Sequence, residues 1–151
     1  MALHTLAHYS IRTADLQASR RFYIDVMGLR EGYRPPFDFP GVWLYLGDDE
    51  QQFGVVHIIG IDADNPHGLL DYLGGASDQA EGTGTLDHIA FLATDLQGFH
   101  QRLKAAGHRW RDRLVPSLGL HQLFVEDPSG VTLELNFPAS EAIAAGLDTP
   151  R

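Results

Sequence analysis

Apolar and polar residues alternate at positions 6–11, which is the period of a β-strand with one face toward a core. His8 lies on the more polar side of this strand. A helix is predicted next, with Asp15 as an N-cap, apolar positions near a 3.6-residue period up to Met27, and Gly28 as its stop. The chain therefore begins with a strand and an amphipathic helix.

Each half of the chain is predicted to be a βαβββ unit. In the first half, apolar stretches at 42–46 and 53–59 predict further strands after the helix. The second half repeats the order, with a strand at 86–92, a helix at 95–106, and strands near 110–114, 121–126 and 131–137. The two halves thus share one order of elements, which indicates a duplicated fold.

Between the halves the composition changes to Gly, Asp, Asn and Pro, which predicts a connector with a short helix at 69–73. The predicted organisation is one domain overall, with a first module at 1–60, a connector at 61–84, a second module at 85–138 and a C-terminal tail at 139–151. The tail predicts a short Ala-rich helix and carries no residue pattern that suggests chemistry.

His8 and His88 occupy the same place in the two copies of the repeat, 80 positions apart. Each lies two residues after a Leu and seven residues before an Asp-Leu-Gln sequence. A duplicated fold can bring two equivalent side chains together about a pseudo-twofold axis. Two equivalent imidazoles are an economical beginning for a metal site. The repeat therefore makes these two histidines the first candidate ligands.

The last strand of each half adds one more side chain that can bind a metal. His57 lies in the strand at 53–59, and Glu134 alternates with apolar residues in the strand at 131–137. If the first and last strands are neighbours around the pseudo-twofold axis, His8, His57, His88 and Glu134 converge. Three imidazoles and one carboxylate suit Fe(II), Mn(II), Zn(II), Ni(II) or Co(II), and leave positions open for a substrate.

Composition narrows the function classes. Apolar residues make up 44% of the chain and the formal charge is -9, so we expect a folded protein that does not bind nucleic acid or an anionic membrane surface. The chain has no cysteine, which excludes thiolate ligands and a thiol nucleophile. No apolar run approaches a membrane span, and a cytoplasmic location is the expectation.

A few further residues are candidates for substrate binding. Ser10 and Arg12 share the face of His8 on the first strand and can contact an oxygen-rich or anionic substrate. Trp43 can line an aromatic pocket. The chain has no Gly-rich phosphate loop and no Gly-x-Ser-x-Gly motif, so nucleotide binding and serine-nucleophile chemistry have no support.

Three segments of the sequence resemble the vicinal oxygen chelate superfamily, which contains glyoxalase I, bleomycin resistance proteins and extradiol dioxygenases. They are residues 15–29, the Leu-Tyr-Leu-Gly-Asp run at 44–48, and Phe-Val-Glu-Asp-Pro-Ser-Gly at 124–130 leading to Leu-Glu-Leu at 133–135. The resemblance implies an α+β fold in which paired βαβββ modules form an open eight-stranded mixed β-barrel. It also implies a divalent metal, a substrate that binds through adjacent oxygens, and a homodimer.

Within that family, the resemblance to extradiol dioxygenases implies that His8, His88 and Glu134 bind Fe(II) and that His57 moves a substrate proton. His121 resembles a histidine of those enzymes that helps bind substrate or oxygen, whereas Phe124 stands where they usually carry a tyrosine and would contact the substrate without donating a hydrogen bond. We therefore expect a metal-dependent dioxygenase acting on a catechol- or enediol-like substrate. The alternatives are a glyoxalase- or epimerase-type lyase or isomerase with His57 as fourth ligand, and a resistance protein that sequesters a small molecule.

Overall fold

The computed structural model describes residues 8–48, 54–73 and 88–147, together with Leu6, Gly82 and Leu86. The chain divides into two compact units, Met1–Glu81 and Gly82–Arg151. Each unit contains one four-stranded mixed sheet, called here sheet 1 and sheet 2. The prediction of two βαβββ modules is confirmed.

Sheet 1 belongs to the first unit and has the strand order β1-β4-β3-β2. β1 runs parallel to β4, and the other neighbours are antiparallel. The elements of this unit are β1 (Tyr9–Thr13), α1 (Leu16–Arg21), a π-helical continuation (Phe22–Val26), β2 (Arg30–Gly32), β3 (Gly41–Tyr45), β4 (Val56–Gly60) and α2 (His67–Leu73). The first and last strands of the unit are therefore direct neighbours.

Sheet 2 repeats this topology in the second unit, with the order β5-β8-β7-β6 and with β5 parallel to β8. Its elements are β5 (Ile89–Leu92), α3 (Leu96–Ala105), β6 (Trp110–Val115), a 3-10 turn (Pro116–Leu118), β7 (Leu120–Glu126), β8 (Thr132–Pro138) and α4 (Ala139–Ala144). The short helix predicted in the tail is present as α4. β6 is an edge strand, two strands away from β8.

Both crossover helices begin at the aspartates that the sequence predicts. The Asp15 carboxylate accepts a hydrogen bond from the Ala18 backbone N–H at 2.9 Å, and Asp95 accepts one from Gly98 at 3.1 Å. These bonds satisfy backbone donors that have no partner within the first turn of a helix. Each carboxylate thereby marks where its strand ends and its helix begins.

The predicted helix up to Met27 is α-helical only as far as Arg21 and then widens into a π-helix. The Met27 backbone N–H donates to the carbonyl of Phe22, five residues earlier, at 3.1 Å. This wider turn accompanies the burial of the adjacent Phe22 and Tyr23, whose rings meet edge to face at 5.2 Å. The helix predicted at 69–73 begins earlier, at His67.

Some strands begin at other residues than predicted. Pairing between strands decides where a strand begins, and the alternation of apolar and polar residues does not reveal that pairing. β1 begins at Tyr9 because its five residues pair in parallel with β4, from Tyr9 opposite Val56 to Thr13 opposite Gly60. β5 begins at Ile89 rather than at residue 86. Parts of the predicted strands at 6–11, 53–59 and 86–92, and part of the connector, lie outside the described residues.

Each sheet has an apolar face that packs on helices and a second, more polar face. In sheet 2 the apolar face includes Phe137, whose ring meets Phe99 of α3 at 5.5 Å. We call the second face of each sheet its polar face, which in sheet 1 carries Ser10, Trp43 and His57, and in sheet 2 Gln122, Phe124, Glu134 and Asn136. No helix in the described part of the chain is long and apolar enough to cross a membrane.

Candidate metal centre

His57 lies at the centre of the polar face of sheet 1, within a stack of three rings. Its strand neighbours on either side are Ser10 and Trp43. The Trp43 ring stacks on the His57 ring at 3.9 Å with an interplanar angle of 3°, and His8 stacks on the other side at 3.8 Å. The structure therefore brings His8 and His57 together, with His57 fixed between two rings.

The His57 imidazole is neutral at physiological pH. Burial is the main cause that lowers its pKa from 6.5 to about 4; the neighbouring His8 and, less strongly, Arg34 act in the same direction, and a backbone hydrogen bond with Gly54 opposes them. The Nε2 atom of His57 is buried and has no hydrogen-bond partner among the described residues. A neutral imidazole with an unused nitrogen can bind a metal or accept a proton.

The stacking restricts how His8 and His57 can bind one ion. An imidazole binds a metal in the plane of its ring, about 2.1 Å from the nitrogen. The two ring planes are inclined by only 18°, and planes so nearly parallel meet far from the rings. His8 must therefore turn away from the stack before both histidines can bind the same ion, and its exposed position leaves room for that rotation.

On the polar face of sheet 2, His88 and Glu134 are already spaced as two ligands of one ion. The distance from His88 Nε2 to Glu134 Oε2 is 3.1 Å. Two ligands at right angles, each about 2.1 Å from an ion, lie about 3.0 Å apart. Glu134 is 8% exposed and β8 holds it opposite Ala90 and Phe124, so its carboxylate is fixed next to His88.

Two amide side chains orient the Glu134 carboxylate. Gln122 Nε2 donates to Glu134 Oε1 at 2.9 Å, and Asn136 Nδ2 donates to the same oxygen at 2.7 Å. Gln122 also donates to Asn136 Oδ1 at 3.1 Å, which ties the two amides together. These bonds occupy Oε1 and leave Oε2 toward His88. Hydrogen bonds of this kind orient metal-binding carboxylates and tune their affinity.

Sequence reasoning did not assign a role to Gln122, although one signal was available. The alternation of β7 places Gln122 on the face of Phe124, and the antiparallel pairing with β8 places it opposite Asn136. The sequence shows the alternation, but only the pairing shows which residues share the face of Glu134.

The four predicted ligands occur as two pairs, one in each unit. His8 and His57 form the pair of sheet 1, and His88 and Glu134 form that of sheet 2. Within the described residues, no group of three or more His, Cys, Asp or Glu side chains is arranged to hold a metal ion. The pairs nevertheless fit a divalent metal in donor chemistry, because neutral imidazole and carboxylate suit borderline cations.

The predicted substrate-binding residues lie beside these pairs. Ser10 and Arg12 follow His8 on the same face of β1, and Trp43 belongs to the ring stack. In sheet 2, the Phe124 ring meets the His88 ring edge to face at 6.3 Å. Each of these residues therefore shares a sheet face with a predicted ligand of its own unit.

An aromatic and arginine cluster beside the ring stack is not evident from the sequence. Phe37 stacks on Phe39 at 5.3 Å and approaches Trp43 at 6.3 Å. The Arg34 guanidinium lies 5.0 Å from each phenyl ring and donates to the Phe39 carbonyl at 2.8 Å. Gly41 leaves no room for a side chain, because a Cβ there would lie 2.5 Å from the Ile58 carbonyl oxygen and 3.1 Å from the Arg34 guanidinium.

His121 does not join Glu134. Successive residues of a strand point to opposite faces, so His121 lies on the apolar face of sheet 2 while Gln122 lies on the polar face. It is 2% exposed, and its Nε2 contacts Asp112 Oδ1 at 2.8 Å. His121 also lines a groove of about 1020 Å³ beside α3 and β6. The catalytic role of His121 stays a prediction. In the structure, this side chain belongs to a cluster around Asp112, on the opposite face of the sheet from Glu134.

That cluster centres on Asp112. His100 Nε2 also contacts Asp112 Oδ1, at 2.9 Å, and Trp110 Nε1 donates to Oδ2 at 3.0 Å. Burial acts to raise the pKa of Asp112, but hydrogen bonds with His121 and His100 outweigh it and hold the pKa below 3.8. The ionised carboxylate therefore links α3 to β6 and β7.

We predict that Asp112→Asn destabilises the protein by about 1–3 kcal/mol, because the amide cannot accept all three hydrogen bonds. The native carboxylate has a lowered pKa, so its contribution is complete above the unfolded-state pKa of 3.8 and is lost as the pH falls through the folded-state value. Urea unfolding of the native protein and the variant, at pH values from about 7 to about 3, measures the difference in their free energies of unfolding. Asp25→Asn, at an exposed carboxylate in the other unit, is the control; equal stability of both variants would contradict the prediction.

Comparison with known proteins agrees with the fold and with the resemblance stated above. Residues 5–135 match the model of the Glyoxalase/Bleomycin resistance protein/Dioxygenase superfamily. The chain is 31% identical over 140 residues to a "Probable lactoylglutathione lyase" of Vibrio cholerae, covering 89% of this chain and 91% of that protein.

Solved structures agree in fold. Lactoylglutathione lyase from Agrobacterium tumefaciens superposes with a TM-score of 0.58 at 21% identity, covering 91% of this chain and 96% of that one. The fosfomycin resistance protein FosX from Listeria monocytogenes superposes with a TM-score of 0.61 at 16% identity, covering 89% and 93%. At these identities the structures show a shared fold alone. Together with the family match, the fold establishes that this chain belongs to the glyoxalase/bleomycin resistance protein/dioxygenase superfamily.

Proposed function

We propose that this protein is a divalent-metal-dependent lyase or isomerase of the glyoxalase type, acting on a small substrate that binds through adjacent oxygens. The metal ligands are His8, His88 and Glu134, with His57 as a fourth ligand or as the proton acceptor. The observation that carries the proposal is the Glu134 carboxylate, held at Oε1 by two amides with Oε2 at 3.1 Å from His88.

The residues of each sheet have distinct tasks in this proposal. When bound, the metal supplies Lewis-acid chemistry, polarising the oxygens of the substrate. Gln122 and Asn136 keep Glu134 in one orientation, so the carboxylate needs little rearrangement on binding. His57 keeps a neutral ring with an open Nε2, which either of its two alternative roles requires. Trp43 stacks on that ring and fixes its orientation.

Two observations favour lyase or isomerase chemistry over dioxygenase chemistry. The relative with 31% identity has the name of a lactoylglutathione lyase. In sheet 2, the polar face around Glu134 offers Phe124, which cannot donate a hydrogen bond to a substrate hydroxyl, and His121 lies on the opposite face. The face thus lacks the tyrosine that extradiol enzymes usually carry at this position.

A Fe(II)-dependent dioxygenase is the second candidate, and one observation favours it. The stacked rings of His57 and His8 lie in two separate, nearly parallel planes. In this arrangement, His57 is not aligned to bind the same metal ion as His8. Without His57 the remaining set is two histidines and one carboxylate, which is the set that oxygen-activating non-haem iron uses.

Two assays on one preparation distinguish these candidates. The protein is purified anaerobically, its bound metal is measured, and samples are loaded with Zn(II), Ni(II), Co(II), Mn(II) or Fe(II). We expect metal-dependent formation of the thioester lactoylglutathione from the hemithioacetal of glutathione and methylglyoxal, loss of activity with EDTA, and recovery when metal is added back. Oxygen uptake with catechols by the Fe(II) form, without thioester formation, would support the second candidate and overturn the first. A fully loaded protein that is inactive in both assays would contradict both.

A further inference from the structure

Two arginines of the edge strand lie on the polar face of sheet 2. β6 pairs with β7 so that Arg111 is opposite Phe124 and Arg113 is opposite Gln122. Both β7 residues share the face of Glu134. The residue between the arginines, Asp112, points to the other face and is engaged there by two histidines. The alternation of β6 therefore separates its charges, with both cations on the side of the predicted ligands.

Within the described part of the chain, no carboxylate neutralises either arginine. Among the described residues, Arg111 and Arg113 form no salt bridge, whereas Arg20 pairs with Glu31 and Arg102 with Asp95. The Arg111 guanidinium instead lies 4.4 Å from the centre of the Phe124 ring. Stacking on an aromatic ring engages the flat side of a guanidinium and leaves its N–H groups at the edge available to bind an anion.

The placement of these cations is unexpected for an acidic protein. With a formal charge of -9, the chain as a whole repels anions, so an anionic ligand needs a local cationic site. Two acidic residues that the structure describes, Glu134 and Glu126, lie on the same face of sheet 2. Glu126 is diagonal to Arg111 across β6 and β7, but the two form no salt bridge among the described residues. Arg111 and Arg113 are two residues apart on one face, close enough to bind one carboxylate, phosphate or phosphonate together.

We propose that Arg111 and Arg113 bind an anionic group at the far end of the substrate, which makes the substrate an elongated anion. This rests on the proposed function, which places the adjacent oxygens of the substrate near Glu134. β6 and β8 are separated by one strand, so their backbones are about 10 Å apart. The substrate therefore carries its anionic group at roughly this distance from its chelating oxygens, beyond the Phe124 ring.

Binding of matched acid and amide probes tests the inference without turnover. Dihydrocaffeate is a catechol with a propionate chain, and its amide has the same shape without the charge. Both are titrated by calorimetry into the Zn(II)-loaded protein. We expect the acid to bind about 10-fold more tightly than the amide, because charge-assisted hydrogen bonds contribute this much at a partly exposed site. The double variant Arg111→Gln/Arg113→Gln should reduce the ratio to about one.

Arg21→Gln is the matched control, since Arg21 is an exposed cation on α1, in the other unit. It removes one positive charge, as each substitution of the double variant does, and should leave the acid-to-amide ratio unchanged. Equal binding of acid and amide by the native protein, or a ratio that the double variant retains, would overturn the inference.

A second arm separates this inference from the proposed function. Phenylpropionate and its amide, which lack adjacent oxygens, are titrated into protein treated with EDTA. A preference for the acid that the double variant removes supports the anion site even if the protein proves to bind no metal. Metal binding and lyase activity without any acid preference would leave the proposed function standing and refute the anion site.

Discussion

The Glu134→Gln variant will lose about 100-fold or more in affinity for divalent metal, and its metal-dependent activity with it. The amide that replaces the carboxylate lacks the negative charge that attracts the ion. Its NH₂ group would also face His88 or the two amide donors, Gln122 and Asn136, that now bind Oε1. Competition with a chromophoric chelator measures the affinity, and elemental analysis of the purified variant measures the occupancy.

Glu126→Gln provides a matched control for this prediction. Glu126 is an exposed carboxylate on the same face of the same sheet, opposite Thr132, and removing its charge changes the net charge equally. Its metal affinity should stay within about threefold of the native protein, as expected for an exposed charge that is screened by solvent. Native-like metal affinity of Glu134→Gln would exclude Glu134 as a ligand.

The Asp127→Ala variant will be destabilised by about 2–4 kcal/mol, because two hydrogen bonds to a buried carboxylate are lost. Asp127 is 4% exposed, and its Oδ1 accepts from the backbone N–H groups of Ser129 and Val131, both at 2.8 Å. The turn between them contains Gly130 at a φ of 80°, a conformation that favours glycine. Alanine leaves these buried donors without an acceptor.

Asp127→Asn is the control for the turn, because its side-chain oxygen can still accept both hydrogen bonds. Its cost in urea unfolding should be less than half that of alanine, since it keeps an acceptor for both backbone hydrogen bonds. The same turn joins β7 to β8. The alanine variant should therefore also weaken metal binding, by disturbing the hydrogen bond that Gln122 on β7 donates to Glu134 on β8. Equal stability of the alanine variant and the native protein would contradict this account.

Much of the fold follows from local patterns in the sequence. Alternation locates the strands, and the aspartates at 15 and 95 mark the beginnings of both crossover helices because a capping carboxylate acts within one turn. The repeat of His8 and His88 indicates the duplication, since equivalent positions in two copies of one pattern occupy equivalent places in the fold. These signals involve residues close together in the chain.

Pairing between strands that are distant in the chain is what the sequence leaves open. A shift of one residue moves every side chain to the other face, and the packing of the whole sheet decides the register. The pairing of β7 with β8 thus turns Gln122 toward Glu134 and sends His121 to Asp112 on the opposite face. The ring stack around His57 has the same origin, because Trp43 and Ser10 meet it from neighbouring strands.

Short-range periodicity and residue chemistry encode the two βαβββ units, the helix caps and the residue types that can bind a metal, so these could be predicted from the sequence. The three-dimensional fold adds which amides orient Glu134, that His57 lies between two rings, and that Arg111 and Arg113 face the predicted ligand side of sheet 2. Burial and strand register select one face for each side chain, and both depend on contacts across the sheet between residues that are distant in the chain.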